Sequence, residues 1–425
     1  MIAQLLFFLS FVVSLGIGFL YFRDLGDVSQ MVLKVKRENM LRFIRNEYRL
    51  IGIGLAAFAL ATLLHFGAGA GPRGLWVLGL VLVGLFYAFP LIYVHLGLRN
   101  QMNSATYHDI AEARKHVGPS APVVVIENGG HARAHPDAQI MRPHLAGDAA
   151  GLNGEDVVMT YCAMANLGLG YVPRIEGARL KLDVLAQHGN NLILRDETTG
   201  EPIQQIHGFR ERDHDPQAQA LACPLRPEAR MAPWPTFRMT FRGFQKAFPD
   251  GEVFLNTPSG NPLLRLFDTA MEIAFGWGIG RQHQEDAPLM DNLERKPDTR
   301  LPNKTYVWGV TIGDDAACWT DDFVVAQGWI VNATVGGRDL VVSLDPQFES
   351  LGIWYNDSGR PVTRCDFWGR SDRGQLTRVE TLRAGLFWHV WAEFFPTTDI
   401  NRMTPGAPGV PAAAPAPGAE TEAVG

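Results

Sequence analysis

Residues 123–139 read VVVIENGGHARAHPDAQ, and a degraded copy of this stretch, VWGVTIGDDAACWTDD, begins at Val307. Each copy begins with a short β-branched run, which predicts a strand, and a Gly-containing turn follows in the first copy. The alignment continues without a gap to Val157-Val158, which match Val341-Val342. A second, separate match aligns Phe244, Phe248 and Pro249 with Trp391, Phe395 and Pro396. These matches predict a tandem-duplicated, two-lobed domain; the alternative is chance similarity between two β-turn-β pieces.

The two copies differ at one chemically informative place. Thr160-Tyr161-Cys162 follows the first Val-Val pair, whereas Leu344-Asp345-Pro346 stands at the matching place in the second copy. We therefore expect any chemistry to lie in the first lobe. The chain has four cysteines with no close pair among them, which argues against a zinc ribbon and against a dense disulfide framework.

Composition divides the chain into two parts. The 425 residues are enough for two or three folding units, and the first hundred are dominated by apolar runs. The formal net charge of -6 gives no basic footprint for nucleic acid, so no nucleic-acid partner is expected. The remainder has the Gly-, Pro-, Asp- and Arg-containing loops of a soluble protein.

The first part, residues 1–98, predicts three transmembrane helices at about residues 2–22, 50–69 and 75–98. Each apolar stretch is about 20 residues long, which suffices to cross a hydrocarbon core of roughly 30 Å. The stretch HFGAGAG before Pro72 predicts a tight turn between the second and third helices. The alternative is that one of these runs is a buried core helix. The lipid bilayer is thus the expected partner, and a bacterial-type cytoplasmic (inner) membrane, crossed several times, the expected location.

The loop 23–49 carries most basic residues near the membrane. They are Arg23, Lys34, Lys36, Arg37, Arg42, Arg45 and Arg49, and the opposite side has only Arg73. Basic residues concentrate in cytoplasmic loops, so this count predicts a cytoplasmic soluble domain. Between residues 28 and 48 the apolar residues have helical spacing, which predicts either a helix on the membrane surface or a solvated connecting helix.

The rest of the chain predicts a connector, 99–121, with a helix over 100–116, and a two-lobed β-rich domain, 122–402. The lobes are expected at about 122–256 and 300–402. Apolar runs such as VVVI at Val123, NLILRD at Asn191 and FVVAQGWIV at Phe323 predict strands, and helices are expected over 236–247, 262–275 and 382–394. The fold class is therefore α+β, mostly β. The Pro/Ala-rich tail, 403–425, is expected to be disordered.

Several blocks resemble the domain of unknown function 3179 family. They are GGHARAHPDAQI, RPHLAGD, VVMTYCAMANLGLGY, NNLILRDETTGEPIQ, FRGFQKAFPDGEVF, DTRLPNKTYVWGV and FWHVWAEFFP. In that family the Thr-Tyr-Cys stretch ends in Pro, its Cys is selenocysteine in some members, and a second Cys follows in many. Here the matching positions are Cys162, Ala163 and Ala165. The resemblance implies a functional Cys162 with His144 at a family histidine position, and an extracytoplasmic domain, against the basic-residue count.

Cys162 and His144 are accordingly the candidate catalytic residues. A thiolate nucleophile needs a nearby cation or helix N-terminus, and His144 is the expected base or co-ligand. A metal site formed by Cys162, His144 and Met164, with His131 or His135, would suit copper or zinc. The alternative for both His131 and His135 is a surface polar role.

Two functions remain open at this point. The first is a thiol- or metal-dependent redox site centred on Cys162 and His144. The second is a non-catalytic ligand-binding or assembly module at the membrane, which the absence of the second Cys and of the Pro favours. The sequence specifies no reaction, and it names neither a protein partner nor a small ligand.

Overall fold

The computed structural model describes residues 1–98, 100–215, 217–218, 223–226, 228–257 and 261–403, without the side chains of residues 27, 28 and 96. The tail predicted from residue 403 therefore lies, beyond its first residue, outside the described part of the chain. Three helices are long and apolar enough to cross a membrane, which confirms the predicted membrane anchor. They are followed by a β-rich region with several sheets.

The first membrane helix is α1 (Ile2–Leu25), and a 3₁₀ turn (Asp27–Met31) follows it. The second is α2 (Arg37–Ala68), which is kinked at Asn46. The third consists of α3, Arg73–Val83, and α4, Phe89–Ile92, joined and continued by π-helical segments, Gly84–Ala88 and Tyr93–Gly97. Tyr87 holds the bundle together, since its hydroxyl donates to the Ser14 carbonyl at 2.7 Å. A Cβ at Gly54 would lie 1.9 Å from that hydroxyl, so the close approach of α2 requires glycine.

Short elements make up the first half of the β-rich region. In chain order they are β1 Tyr107–His108, α5 Ile110–Ala113, β2 Pro122–Asn128, β3 His131–Pro136, α6 Asp137–Ile140, β4 Leu145–Ala146, β5 Val158–Cys162, β6 Leu167–Val172, β7 Arg174–Ile175, β8 Ala178–Arg179, β9 Leu182–His188, β10 Asn191–Asp196, β11 Pro202–Gln204, a 3₁₀ turn Glu211–Asp213, β12 Ala232–Trp234, β13 Thr236–Thr240, α7 Phe241–Ala247 and β14 Glu252–Phe254.

The long helix α8, Pro262–Gln284, leads to the second half. Its elements are β15 Tyr306–Ile312, β16 Asp315–Trp319, α9 Asp321–Ala326, β17 Ile330–Val335, β18 Arg338–Asp345, β19 Ser350–Tyr355, β20 Arg370–Ser371, β21 Gly374–Gln375, β22 Thr377–Arg378, β23 Arg383–Phe387, α10 Trp388–Phe394 and β24 Asp399–Asn401.

The two halves repeat one strand arrangement. The order β14-β3-β2-β13 in the first half corresponds to β24-β16-β15-β23 in the second, and the pairs β14-β3 and β24-β16 are both parallel. Strand β1 adds to the first sheet by pairing antiparallel with β14. A second sheet, β4-β5-β6-β12, likewise corresponds to β17-β18-β19-β22. This correspondence supports the predicted duplication and the two lobes, which stay a prediction.

The sheet β9-β10-β11 has the membrane helices packed against it. Leu185, Ala186 and Ile193 of this sheet lie in one apolar cluster with residues of all three membrane helices. The segment 28–48 takes part in this packing: Val35 and Ile44 are buried there, and Arg37 contacts Gln204 and Glu211. The buried face of the predicted amphipathic segment thus meets protein, not headgroups or solvent.

A buried polar cluster lies where the helices meet this sheet. The carboxylate of Glu47, 2% exposed, accepts hydrogen bonds from Tyr21 at 3.0 Å and from Arg195 at 2.6 Å, and His95 Nε2 lies 2.9 Å from it. Arg195 belongs to β10, whereas the other three residues belong to the membrane-helix region. Breaking such a pair leaves an uncompensated buried charge, so this cluster fixes the soluble region to the helices.

Several sequence predictions of local structure are wrong. The helix predicted over 236–247 is strand β13 followed by α7, because the Thr240 hydroxyl caps the helix by accepting from Gly243 N at 3.1 Å. The helix predicted over 382–394 is likewise β23 followed by α10. The strand predicted from Phe323 begins as α9, where Asp321 and Asp322 occupy the first turn and interact favourably with the helix dipole. The helix predicted over 100–116 is replaced by β1 and the single turn α5.

Arg142 attaches α8 to the end of the third membrane helix. Its buried guanidinium donates to the Gly97 carbonyl at 2.9 Å and to the Asp268 carboxylate at 2.5 Å. The ring of Phe275 stacks on that of Tyr93 with centroids 5.6 Å apart. The two contacts hold α8 directly beside the membrane helices.

We predict that Arg142→Met destabilises the protein by about 3–5 kcal/mol, because it leaves the Asp268 carboxylate buried without its guanidinium. Chemical unfolding in detergent micelles measures the change. The double variant Arg142→Met/Asp268→Leu serves as the control and is expected to recover most of the loss. Equal stability of Arg142→Met and the wild type would show that this ion pair does not hold α8.

Candidate functional site

An apolar cavity of about 440 Å³ lies between α8, the membrane helices and the first lobe. This volume falls within the range of roughly 300–1,000 Å³ that is typical of small-molecule sites. Residues from each region form its walls: Met31, Tyr93 and Leu98 from the membrane side, Val184, Ala186 and Leu192 from β9 and β10, and Ile273, Ala274, Phe275, Trp277, Gly278 and Ile279 from α8. Cys162 and His144 both line this cavity, as do Ala163 and Met164.

The helix α8 turns an apolar face outward. Leu266, Ile273 and Trp277 recur at helical spacing and are 70%, 69% and 59% exposed. The opposite face packs on the protein and is mixed: it carries the buried Asp268 and Gln282 together with Phe275, whose ring stacks on Tyr93. An outward apolar stripe of this length is unusual on a surface that faces water. The cavity therefore lies directly behind a helix whose exposed face is apolar.

Cys162 ends strand β5 and is 2% exposed. Its Sγ lies 3.7 Å from the carbonyl oxygen of Asn190, which sits in the turn between β9 and β10. A carbonyl only accepts, so this contact suits a protonated thiol that donates. Asn190 is itself fixed, because its Nδ2 donates to Met290 O at 3.2 Å and to Asn292 Oδ1 at 3.0 Å. The sulfur thus faces a rigid and largely apolar wall.

His144 lies beside the same strand. Its Nδ1 is 2.9 Å from the Tyr161 carbonyl, so Nδ1 carries the proton and Nε2 is left as the basic nitrogen. The backbone of His144 has φ 57°, a left-handed conformation that non-glycine residues seldom adopt. Burial lowers the pKa of His144 to about 4, partly opposed by the hydrogen bond to Tyr161. The imidazole is therefore neutral at pH 7 and supplies no positive charge to the thiol.

The predicted metal ligands are not all brought together. Met164 joins Cys162 and His144 at the cavity wall, but neither His131 nor His135 belongs to the residues that line it. His131 Nε2 lies 3.1 Å from Glu252, and His135 is held between Val124 O at 3.3 Å and the Tyr107 hydroxyl at 3.1 Å. In the described part of the chain, no group of three or more His, Cys, Asp or Glu side chains is arranged to hold a metal ion. A copper or zinc site stays a prediction.

Two features of the site were missed by sequence reasoning. The predicted helix over 262–275 stops short of the end of α8, so Trp277, which is 59% exposed, lay outside it. No role was predicted for Tyr161, the neighbour of Cys162, although adjacent residues of a strand face opposite sides. It lies on the other face of β5, in a separate apolar cluster with Met159 and Ala163. The two-residue period of side chains along a strand was the signal that could have identified Tyr161.

The fold and cavity together define a membrane-anchored, β-rich protein with an internal apolar chamber. The chain belongs to a family of unknown function, because the model described as protein of unknown function (DUF3179) matches residues 101–398. The match begins just after the membrane helices and spans nearly all of the β-rich region. No curated protein and no solved structure matches the chain.

The buried histidines predict a loss of stability in acid. Because the pKa of His144 is lowered from 6.5 to about 4, the unfolded chain binds the proton more readily, and stability falls as pH drops through that window. His135, at about 3, and His389, at about 4, act in the same direction. Asparagine tolerates the left-handed backbone, so His144→Asn is expected to fold. We expect this variant to reduce the slope of the free energy of unfolding against pH by up to about one bound proton.

Chemical unfolding at a series of pH values measures this slope. His116→Asn is the matched control, because His116 is exposed and its replacement should leave the curve unchanged. An unaltered slope in His144→Asn would contradict the assignment of a neutral, buried imidazole.

Proposed function

We propose that the protein is a membrane-anchored binding module that takes up an apolar ligand, or the apolar chain of an amphiphile, from the bilayer into the cavity beside Cys162. The observation that carries this proposal is the composition of the cavity walls. Membrane-side residues such as Tyr93 and Leu98 and the soluble strands β9 and β10 contribute to one chamber. This is the second of the two functions that the sequence left open.

The bilayer is the best occupant of the exposed face of α8. This helix packs on the last π-helical segment of the membrane helices through Phe275 and Tyr93, and Met271 meets Gly97. A helix next to a membrane span with an outward apolar face and an exposed Trp277 has the features of an interfacial helix. Its apolar residues would otherwise stand in water beside the headgroups. We therefore infer that α8 lies in the membrane interface and forms the entrance of the cavity.

The chemistry of the chamber favours an apolar guest. Most of its walls are aliphatic or aromatic, and His144 is neutral at pH 7. Apolar cavities of this size in proteins stay dry and bind apolar molecules, because water finds too few hydrogen-bond partners there. A hydrocarbon chain fits these walls better than a charged or strongly hydrated group does.

The proposal holds for either side of the membrane. The three membrane helices alternate in direction. The basic loop follows the first crossing and the soluble region follows the third, so both lie at the same end of the helix bundle. The basic-residue count favours the cytoplasm, and the family resemblance favours the outside. In both cases the cavity faces the bilayer in the same way.

The test is photo-crosslinking of the full chain in phosphatidylcholine nanodiscs with a diazirine-bearing fatty alcohol. We expect label on peptides that contain Cys162, Met164 or Met290, and displacement of the label by unlabelled fatty alcohol. Ala274→Phe fills the wall of the cavity from α8 and should reduce labelling at least about fivefold, which corresponds to about 1 kcal/mol.

Ala270→Phe is the matched control for this experiment. Ala270 lies one turn earlier on α8 and is also exposed, but it does not line the cavity. It should label as the wild type does. Equal labelling of Ala274→Phe and Ala270→Phe, or label confined to the membrane helices, would refute uptake into the cavity.

The thiol redox hypothesis stays a prediction, and one observation favours it: Cys162 and His144 line the same cavity. The redox hypothesis requires a thiolate at Cys162. The burial of the sulfur and the neutral imidazole of His144 both disfavour that thiolate. Alkylation with N-ethylmaleimide at neutral pH separates the two functions. The binding proposal predicts that Cys162 reacts more slowly than the partly exposed Cys223 and Cys365, and more slowly still when fatty alcohol is present.

The redox hypothesis predicts the reverse order, with Cys162 the fastest of the four thiols. Mass spectrometry of the peptides gives each rate separately. Cys318, which is fully buried and whose pKa burial raises to about 12, provides the slow reference. Fast labelling of Cys162 that does not depend on the ligand would contradict the binding module and support a reactive thiol.

A further inference from the structure

A second cavity, of about 710 Å³, lies on the other face of β5, between the two halves of the β-rich region and the end of α8. Asp137, Tyr161 and Arg238 of the first half line it, together with His283 of α8 and Trp308 of the second half. We call this cavity the polar cleft. Adjacent residues of a strand point to opposite faces, so Cys162 lines the apolar cavity and Tyr161 lines the polar cleft.

A buried hydrogen-bond network forms one wall of the polar cleft. Arg238 contacts the Asp137 carboxylate and donates to Asn166 Oδ1 at 2.9 Å, and the Tyr161 hydroxyl donates to the same oxygen at 3.3 Å. Asn166 Nδ2 in turn donates to the Gly385 carbonyl at 2.7 Å, which joins the two halves of the domain. Asp137 and Tyr161 lie in the sequence blocks GGHARAHPDAQI and VVMTYCAMANLGLGY, and the apolar cavity does not use either side chain.

Gly385 allows this network to form. Its φ of 67° favours glycine, and a Cβ at this position would lie 2.9 Å from Arg238 Cδ. A residue with a side chain here would therefore strain the backbone and push the guanidinium away from Asp137 and Asn166. The second half of the domain thus shapes the position of Arg238.

Arg238 and Glu349 of the polar cleft are neutralised within the protein. Arg238 is paired with Asp137, and Glu349 is paired with Arg242 at 2.5 Å. Asp321 adds a carboxylate at the rim, so an anionic ligand would meet no excess of positive charge. Burial raises the pKa of Tyr161, so its hydroxyl stays protonated; its hydrogen is donated to Asn166, and its oxygen can still accept a hydrogen bond. Such an acceptor is complementary to an uncharged hydroxyl group, which can donate to it.

Aromatic side chains complete the walls. Tyr306, about half exposed, stands at the opening, and Trp308 lies deeper in the cleft. Aromatic rings offer an apolar face with a polar edge, which suits ligands that carry both C–H and O–H groups. Ala163 and Ile279 line both cavities, so the polar cleft and the apolar cavity share a wall.

We propose that the polar cleft binds the uncharged, hydroxyl-bearing headgroup of the same membrane amphiphile whose chain enters the apolar cavity. This rests on the proposed function, because the chain must enter from the bilayer first. The headgroup would reach Tyr161, Asn166 and His283 past Ala163 and Ile279. The ligand class is a glycolipid-like amphiphile, as opposed to a fatty acid, a phospholipid or a cationic lipid.

The experiment is competition against the diazirine-bearing fatty alcohol on the full chain in phosphatidylcholine nanodiscs. Four competitors of equal chain length are compared: a fatty alcohol, an alkyl glucoside, an alkyl phosphate and an alkylammonium. The concentration that halves the crosslinking is the readout. On the wild type we expect the alkyl glucoside to compete about threefold to tenfold better than the fatty alcohol, as one or two extra hydrogen bonds would allow.

Variants assign that advantage to the polar cleft. Tyr161→Phe and His283→Gln should each reduce the advantage of the glucoside while leaving competition by the fatty alcohol unchanged. Tyr171→Phe is the matched control, because Tyr171 is a buried tyrosine whose hydroxyl donates to Gln205 O at 2.7 Å and which does not line the cleft. His283 is only partly buried, so its variant keeps the test valid if Tyr161→Phe does not fold.

The outcomes separate the two proposals. If the fatty alcohol fails to displace the probe, the apolar cavity is not a binding site and the proposed function fails with it. If the fatty alcohol displaces the probe but the glucoside has no advantage, the proposed function stands and the polar cleft proposal is overturned. Stronger competition by the alkyl phosphate or the alkylammonium also overturns it, since it would assign a charged headgroup to the cleft.

Discussion

The docking of the soluble strands on the membrane helices depends on one buried carboxylate, that of Glu47. It brings together Tyr21 of α1, His95 at the end of the third helix and Arg195 of β10. An isolated buried carboxylate is costly, so the cluster is stable only while all the partners are in place. This constraint sets the sheet β9-β10-β11 at the membrane surface, and with it one wall of the apolar cavity. The position of the cavity relative to the bilayer is therefore a consequence of the fold.

The pleat of strand β5 then gives the site its two sides. Cys162 faces the apolar cavity and Tyr161 faces the polar cleft, so one short strand separates a chamber suited to hydrocarbon from one suited to hydroxyl groups. At the positions that align with Thr160-Tyr161-Cys162, the second half has Leu344-Asp345-Pro346 and no thiol. The sheet β9-β10-β11 and α8 complete the chamber beside the first half. We infer that the second half mainly supplies the far wall of the polar cleft.

Sequence reasoning succeeded where the signal is local and failed where packing decides. Three apolar stretches were sufficient to find the membrane helices, because length and hydropathy are properties of each segment alone. The stretch 236–247 was assigned wholly to a helix, since its aromatic spacing fits both periods and only the cap at Thr240 reveals the switch. The resemblance singled out Cys162 and His144, which both line one cavity, and their functional role stays a prediction. The outward face of α8 was hidden, because spacing shows that a helix has an apolar face but not what covers that face.

The central claim is that the cavity beside Cys162 is filled from the bilayer. A structure of the full chain in lipid nanodiscs tests it most directly, because the bilayer and any guest are then visible together. We expect elongated density in the cavity and a bilayer surface level with Trp277 on α8. A cavity without such density, with Trp277 standing in solvent away from the headgroups, would contradict the account.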